Sequence, residues 1–352
     1  MKNILKVVFV IIGTLVGAGF ASGKEIYSFF FVYGKVGIFG IFLSSAITGY
    51  IINKVFKVCS SNNIKTYFDF CKLITKNKDN NRSTVLLNNI VNIFLIITFF
   101  TMISGFSSFL NQEFGVKRLI GSLFIIAICY WVFLKSVNGL IKISNYLVPI
   151  IIFLIVIISM KNMSFYINLS TFFNFNISLV DNSKLLIGIV KSVLYASYNC
   201  IILIPVLIPL TEKINGERNT FILSWLCSFL LLGLSFSIYN LLLQGNKEIF
   251  LLEMPIIAII RQYNHFFTIA YIAMIGISIF TSAVSAGCGF LNNCSLSDND
   301  YKRNVIMISI AAVIVAQIRF STFVNLLYPA LGLVGLLEII LIILKKENWN
   351  FK

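Results

Sequence analysis

Charged residues and histidine are scarce in this sequence, and these shortages exclude whole classes of protein. Asp, Glu, Lys and Arg together make up 12% of the 352 residues, about half of the ~25% found in ordinary soluble domains. Hydrophobic residues reach 58%, and the mean hydropathy is +0.92. A water-soluble globule is therefore excluded, and the chain is expected to fold in lipid.

Motifs for metal binding, disulfide pairing and nucleotide hydrolysis are also lacking. The seven cysteines include no CxxC pair, and His265 is the one histidine, so neither a zinc site nor a disulfide framework is indicated. No Gly-x-x-x-x-Gly-Lys-Ser/Thr stretch occurs, which argues against an ATP-driven pump subunit. The carboxylates are dispersed along the chain, so an enzyme is not predicted. The net charge of +15 comes from residues at the ends of apolar runs, which is not the pattern of a nucleic-acid surface.

Near-continuous apolar stretches predict an all-α polytopic membrane protein with ten transmembrane helices. The fourth and ninth stretches are the shortest and carry the weakest signal. The ten predicted spans are residues 4–32, 37–57, 85–110, 119–134, 140–160, 185–210, 219–243, 266–291, 304–318 and 323–344.

The loop charges predict the orientation of these spans. An even number of spans places both termini on one face. With that arrangement, 18 of the 28 basic residues fall on the N-terminal face and 8 on the opposite face. The positive-inside rule then makes both termini cytoplasmic. The abundance of Lys, Asn and Ile hints at a bacterial genome, so the predicted location is the bacterial cytoplasmic membrane.

Two connecting segments are too apolar to be free loops. Residues 64–74 carry apolar side chains at helical spacing, which indicates a short interfacial helix on the N-terminal face. Residues 245–265 include two apolar runs and are expected to pack back onto the opposite face as a cap or a re-entrant segment.

The first span contains an interruption. Four glycines, Gly13, Gly17, Gly19 and Gly23, fall within eleven residues, and each costs a helix about 1 kcal/mol relative to alanine. The pattern fits close helix packing or a break in the helix. A break would leave backbone N–H and C=O groups unpaired, and lipid tolerates such groups only where they face protein, a cavity or a solute.

The sixth span has a polar cluster in an apolar setting. Tyr195, Ser197, Tyr198 and Asn199 precede Pro205 and Pro209. Such side chains serve either as interhelical hydrogen-bonding groups or as part of a second disrupted helix. Disrupted segments at equivalent places in two halves are typical of transporter sites between inverted repeats. We therefore predict a 5+5 inverted repeat with broken helices 1 and 6, residues 1–160 forming one half and 161–352 the other.

The segment from Val16 to Ile26 resembles the first-helix signature of the YkvI-like bacterial membrane proteins. That family in turn resembles the amino acid/polyamine/organocation transporters, which have the LeuT fold. The likeness extends along nearly the whole chain, and it implies a membrane transporter of that fold.

Gly13, Val16, Gly17 and Gly19 also resemble the Gly-x-x-Val-Gly-x-Gly motif of the neurotransmitter:sodium symporters. This resemblance implies a bound Na⁺, held by the carbonyls of Gly13, Val16 and Ser278 and the hydroxyls of Thr281 and Ser282. It further implies a substrate carboxylate at the N–H groups of Ala18 and Gly19, with Gly17 and Phe20 in the same unwound segment. The substrate amine would meet carbonyls near Thr14, Leu15 and Tyr195, with Ser197 nearby, while Tyr198 and Asn199 would shape the pocket.

Three charged residues within predicted spans need separate explanations. Lys24 and Glu25 lie just beyond the interruption, and they either snorkel to an aqueous vestibule or form a gate at the outer end of a substrate path. Glu338 lies in the inner half of the last span, where it could line an aqueous cavity and carry a proton.

Together these features predict a secondary active transporter for a small zwitterionic solute, an amino acid being the expected class. Coupling would be to sodium, or to protons through Glu25 or Glu338. The alternative is a nutrient-sensing receptor subunit of the same fold that does not transport. The expected partners are the small solute and the lipid bilayer, and the sequence does not indicate an oligomeric state.

Overall fold

The computed structural model describes residues 2–75, 82–134, 138–161, 182–214, 216–262, 265–294 and 297–344. Within these ranges the regular structure is helical, and no strand occurs. The first eight helices are α1 (Lys2–Leu15), α2 (Ala18–Ser22), α3 (Lys24–Phe29), α4 (Lys35–Asn62), α5 (Tyr67–Ile74), α6 (Arg82–Phe114), α7 (Arg118–Leu134) and α8 (Asn138–Lys161). The remaining helices are α9 (Asn182–Leu210), α10 (Glu217–Leu242), α11 (Lys247–Leu251), α12 (Pro255–Arg261), α13 (His265–Cys294), α14 (Asp298–Val315), α15 (Phe320–Thr322) and α16 (Tyr328–Leu344).

Helix occurs at each of the ten predicted spans. Six segments are long and apolar enough to cross a membrane: Lys35–Asn62, Val85–Phe114, Ser183–Lys213, Glu217–Leu242, His265–Leu291 and Phe320–Leu344. Shorter apolar helices are Asn3–Leu15, Arg118–Leu134 and Val148–Met160. The all-α membrane architecture is confirmed, whereas the count of ten spans and the division at residue 160 stay predictions. Residues 162–181, which follow that division, lie outside the described ranges.

Hydrogen bonds between distant segments show which helix ends share a face. On the N-terminal face, the Tyr67 hydroxyl of α5 donates to Glu338 Oε1 at 2.8 Å. Lys54 Nζ, near the end of α4, donates to the Ile343 carbonyl at 2.8 Å. On the opposite face, the Ser104 hydroxyl of α6 donates to the Ile318 carbonyl at 2.6 Å. These contacts agree with the predicted assignment of helix ends to the two faces.

Packing divides most of the long helices into two groups, and α8 packs against members of both. The first group contains α1, α4, α9 and α10, and α16 packs on α9. The second contains α6, α7, α13 and α14. Small residues allow the close approach of α16 to α9: a Cβ on Gly335 would lie 2.3 Å from the Ser197 carbonyl. Close backbone contact through small residues is the usual means of helix association in membranes.

The predicted break in the sixth span is wrong, because α9 runs without interruption from Asn182 to Leu210 with Pro205 and Pro209 inside it. Two of its polar side chains, Ser197 and Asn199, bond within the helix. The Ser197 hydroxyl donates to the Val193 carbonyl at 2.7 Å, and Asn199 Nδ2 donates to the Tyr195 carbonyl at 2.9 Å. Such bonds one turn back satisfy buried polar groups without unwinding the backbone.

A cap covers the opposite face, as predicted for residues 245–265. It consists of α11 and α12, and Ile256, Ile257, Ile259 and Ile260 of α12 are fully buried. The side-chain amide of Gln112 at the end of α6 holds the Met254 backbone through two bonds of 2.9 and 3.2 Å. Arg261 pairs with Glu113, so both ends of α12 are tied to α6.

The predicted interfacial helix is also present, as α5. Its inward face buries Tyr67, Phe70, Cys71 and Ile74, and the Thr66 hydroxyl caps its first turn by accepting from the Asp69 N–H at 3.1 Å. Burial raises the pKa of the Cys71 thiol to about 12. Cys71 is therefore a neutral packing residue at physiological pH and not a reactive thiolate.

Gly23 is a position where both the backbone conformation and the packing require glycine. Its φ is +84°, and an added Cβ would lie 2.6 Å from Ile256 Cγ1 of the cap. We expect Gly23→Ala to destabilise the protein by about 1–3 kcal/mol, because strain and overlap combine. Thermal unfolding in detergent measures this. The matched control is Gly233→Ala in α10, where an added Cβ meets nothing within 4 Å. Equal unfolding temperatures for the two variants would contradict the prediction.

Candidate functional site

The interruption in the first span is a true break, as predicted. α1 ends at Leu15, Gly17 adopts an extended conformation with φ −91° and ψ −169°, and α2 begins at Ala18. A second change of direction follows at Gly23, between α2 and α3. The backbone groups released at these two points need partners from other elements, because lipid supplies none.

Hydroxyl groups of α13 donate hydrogen bonds to backbone carbonyls near the break. The Ser278 hydroxyl donates to the Val16 carbonyl at 2.8 Å, and the Tyr271 hydroxyl donates to the Ala21 carbonyl at 2.8 Å. The Thr281 hydroxyl bonds to the Ser278 carbonyl at 3.0 Å. The side chains of α13 therefore fix the position of the unwound segment.

Three members of the predicted sodium site are thus brought together, but their carbonyls already accept hydrogen bonds. Val16 and Ser278 are bonded to each other, and Thr281 bonds to Ser278. Ser282 Oγ is buried and without a hydrogen-bond partner, and it lies 3.5 Å from the position of a Cβ on Gly17. Gly13 lies in the last turn of α1. In the described ranges no group of three or more His, Cys, Asp or Glu side chains could hold a metal.

Glu25 supplies an acceptor for a backbone N–H group at the start of α2. Its carboxylate accepts a hydrogen bond from the Phe20 backbone and another from the Tyr198 hydroxyl. A Cβ on Gly19 would lie 2.1 Å from Glu25 Oε1, so glycine at position 19 makes room for the carboxylate. The side chain therefore folds back from α3 onto the start of α2, close to where a substrate carboxylate was predicted.

Beside the break is a cavity of about 230 Å³, the space of roughly eight water molecules at ~30 Å³ each. It lies between α1 and α9 on one side and α6 and α13 on the other. Its walls are formed by Thr14, Leu15, Gly17, Glu25, Leu95, Thr98, Met102, Tyr198, Asn199, Ile202, Pro205, Val206, Ser282, Ser285, Ala286, Gly289, Asn293 and Tyr328.

The cavity opens towards the N-terminal face. Pro205 and Val206 lie near the N-terminal-face end of α9, and Gly289 and Asn293 lie near the same end of α13. Asn293 is exposed. Towards the opposite face lie the buried rings of Phe29 and Phe30, and the bond from Lys24 to the Phe250 carbonyl joins α3 to the cap.

Half of the ten predicted substrate residues line this cavity. Thr14, Leu15, Gly17, Tyr198 and Asn199 are in its walls. The other five are buried without lining it: Ala18, Gly19, Phe20, Tyr195 and Ser197. Tyr195 instead packs edge-on against Phe30, with ring centroids 4.8 Å apart.

Sequence reasoning missed four polar wall residues, Thr98, Ser285, Asn293 and Tyr328. Thr98 places a hydroxyl group in the apolar third span, and this unusual position could have identified it from the sequence. Asn293 carried no such signal, because it lies near a helix end where polar residues are common. Tyr328 directly follows a π-helical turn at Phe323–Leu327, a feature often found at functional sites that depends on hydrogen-bond register and not on residue type.

Lys24 and Glu25 separate, as expected for neighbours on a helix. Lys24 is 5% exposed, and its Nζ donates to the Phe250 carbonyl of the cap at 2.8 Å. Glu25 points instead to the cavity. Neither side chain snorkels to an aqueous surface. The role of the pair as a gate stays a prediction, with Lys24 in the closure and Glu25 in the cavity wall.

Glu253 completes the closure of the opposite face. It lies in the cap between α11 and α12 and accepts from the Ser321 backbone N–H at 2.8 Å and from the Ser321 hydroxyl at 3.2 Å. Arg118 Nη2 lies 3.9 Å from its Oε1. The cap is therefore held by polar contacts from α3, α6, α7 and α15, in addition to the buried isoleucines of α12.

Two curated relatives from Bacillus subtilis (strain 168) are similar to the chain. The membrane protein YkvI is 24% identical over 349 residues, which cover 96% of this chain and 94% of YkvI. The protein YyaD is 22% identical over 350 residues, covering 97% of this chain and 96% of YyaD. No family model matches the chain.

Solved structures identify the fold as that of membrane transporters. The substrate-bound, outward-open Na⁺-coupled sialic acid symporter has a TM-score of 0.55 at 14% identity and covers 97% of this chain and 78% of its own. Mhp1, a nucleobase-cation-symport-1 transporter in a closed conformation, also has a TM-score of 0.55, at 12% identity, covering 96% and 76%. The predicted resemblance to YkvI-like membrane proteins with a transporter fold is confirmed. Both structures are transporters and not enzymes, in line with the prediction.

Tyr198 is the side chain that ties Glu25 to α9. We expect Tyr198→Phe to lower the free energy of unfolding by about 1–3 kcal/mol, because a buried carboxylate loses a donor. Thermal unfolding in detergent is the measurement. Tyr195→Phe is the matched control, since the Tyr195 hydroxyl makes no hydrogen bond with this carboxylate. If Tyr195→Phe lowers the free energy of unfolding as much as Tyr198→Phe does, the hydrogen bond to Glu25 is not the source of the stabilisation.

Proposed function

We propose that the protein is a secondary active transporter that carries a small amine-bearing solute by alternating access, with an amino acid as the expected class. The observation that carries the proposal is the cavity at the broken first span, whose walls come mainly from α1, α6, α9 and α13. Broken helices beside a mid-membrane cavity are typical of transporter binding sites.

The arrangement of the helices supports alternating access. The cavity lies between the group α1, α4, α9 and α10 and the group α6, α7, α13 and α14, so a rotation of one group against the other would change the face to which it opens. The closure at the cap combines hydrogen bonds and ion pairs with the buried apolar face of α12, so opening would require that face to repack. Lys24 and Glu253 would act as gating residues in this scheme.

Sodium is the first candidate for the coupling ion. The proposed ligands are the carbonyls of Gly13, Val16 and Ser278 with the hydroxyls of Thr281 and Ser282, and oxygen ligands suit a hard cation. The unpartnered Ser282 Oγ supports this assignment, as does the Na⁺ coupling named for one structural neighbour. Binding would require Ser278 to release the Val16 carbonyl. Protons carried by Glu25 or Glu338 are the alternative.

The proposed location is the bacterial cytoplasmic membrane, with both termini in the cytoplasm. The loop charges support this orientation, and the likeness to a Bacillus membrane protein supports the location. The cavity would then face the cytoplasm, and the cap would face outwards.

The proposed function is tested first by ligand binding to the purified protein and then by ligand uptake into proteoliposomes. The purified protein would be heated with each member of an amino acid panel, in sodium chloride and again in choline chloride. A ligand at 100 times its dissociation constant stabilises by about 2.7 kcal/mol. We expect at least one compound to raise the unfolding temperature and to be taken up by proteoliposomes against its gradient. Binding without uptake would instead identify a receptor, and the absence of both would overturn the proposal.

Ser282→Ala tests the sodium site. We expect the variant to fold with unchanged stability, because the hydroxyl it loses has no partner, and to lose at least tenfold in apparent sodium affinity. The measurement is the sodium dependence of the unfolding temperature. Ser224→Ala in α10 is the control, since its hydroxyl bonds to the Thr220 carbonyl away from the cavity. Unchanged sodium dependence in Ser282→Ala would remove this ion site.

A further inference from the structure

Glu25 sets the charge of the cavity. Among the described residues in the cavity wall, it is the one carboxylate, and none is Lys, Arg or His. Glu25 is 3% exposed, and its carboxylate forms no ion pair within the described ranges. A solute that enters the cavity therefore meets a site with one acidic group and no basic side chain.

The two lysines of the neighbouring segments are engaged elsewhere. Lys24 Nζ bonds to the Phe250 carbonyl of the cap. Lys191 Nζ lies over the ring of Phe29, 5.7 Å from its centroid. The titratable groups that face Glu25 from the packed helices are the hydroxyls of Tyr195 and Tyr198 on α9 and of Tyr328 on α16.

A buried carboxylate without a basic neighbour must gain a positive charge from outside the protein chain. An isolated ion in a membrane interior costs several kcal/mol or more. Two species can remove this cost: a proton on the carboxylate, or a bound cation beside it. The two exclude each other at a single carboxylate.

The walls around Glu25 suit an organic cation. The rings of Tyr198 and Tyr328 both line the cavity and lie with centroids 4.9 Å apart. Aromatic faces attract ammonium groups, and more strongly when water is excluded. The Asn199 side chain and the Thr14 hydroxyl add polar groups in the same wall.

The same carboxylate weakens the case for recognition of a substrate carboxylate at this point. It accepts the Phe20 backbone hydrogen bond at the start of α2, and it fills the space next to Gly19. An anionic group of the solute would have to displace Glu25 and would find no basic side chain in the described wall. The end of the solute that the cavity recognises is therefore its amine.

We propose that the cavity binds a small organic ammonium ion with Glu25 as its counter-charge, and that the ammonium ion and a proton occupy Glu25 in turn. The inference rests on the proposed transport function and specifies its substrate class. When the ammonium ion arrives, the O–H bond of the protonated carboxyl breaks and the proton leaves through the open side of the cavity. The ammonium ion then pairs with the carboxylate, so the charge in the cavity is conserved and the solute exchanges for a proton.

The test compares amino acids with the amines that remain when the carboxylate is removed. The pairs are phenylalanine with phenethylamine and leucine with isopentylamine, each tested by calorimetry and thermal unfolding on the purified full chain. We expect the amines to bind at least as tightly as the amino acids. Their apparent affinity should rise by up to tenfold per pH unit, because one proton is released on binding. Calorimetry in buffers of different ionisation enthalpy counts that proton on the unaltered protein.

Glu25→Gln separates the carboxylate from the rest of the cavity. We expect it to lose at least tenfold in amine affinity and to lose the pH dependence. Glu212→Gln is the control: it removes another glutamate, which pairs with Lys65 at 3.0 Å and does not line the cavity, and it should keep amine binding. If Glu25→Gln does not fold, the number of protons released by the unaltered protein on amine binding still tests the exchange.

The outcomes distinguish this inference from the transport function. Amino acids that bind and are taken up, while their amines do not bind, would overturn the ammonium class and leave transport intact. Amine binding without proton release would overturn the exchange at Glu25. Failure of every compound to bind, together with the absence of uptake, would overturn both.

Discussion

The need to pair the backbone groups released at the break in the first span organises the rest of the structure. Lipid offers no hydrogen bonds, so Val16 and Ala21 receive hydroxyl donors from α13. On the other side of the break, the Phe20 backbone bonds to the carboxylate of Glu25. These partners come from α13 in the second group and from α3, which follows the break. The break is therefore the place where the two groups meet through polar contacts, and a solute can compete there for hydrogen bonds that the protein makes with itself.

The sequence predicted the first break, because four glycines in eleven residues are costly in a helix. It also predicted the interfacial helix and the cap, since both carry apolar faces that loops cannot expose. It did not predict the continuity of α9. Ser197 and Asn199 looked like groups that interrupt a helix, yet their side chains bond to carbonyls one turn back. Composition shows that a polar group must find a partner, and only the three-dimensional arrangement shows which one.

The same limit applies to the site. Residue type and resemblance singled out Thr14, Gly17, Tyr198 and Asn199 as site residues. In the structure all four lie in the cavity wall. Residue type and resemblance did not reveal that Glu25, two residues beyond Gly23, folds back to the start of α2. That result depends on the positive φ at Gly23 and on the space that Gly19 leaves. Neither can be read from spacing, because both are consequences of how α2 and α3 turn.

The cap also determines from which side the binding site can be reached. In this conformation the route from the opposite face is blocked by α11 and α12, whose contacts extend to α3, α6, α7 and α15. A bulky compound offered at that face finds no entrance, whereas one offered at the N-terminal face can enter beside Pro205 and Gly289 and act as a wedge. Inhibition by such compounds would thus be sided, and a binder selected on one face of the membrane would report which conformation the population occupies.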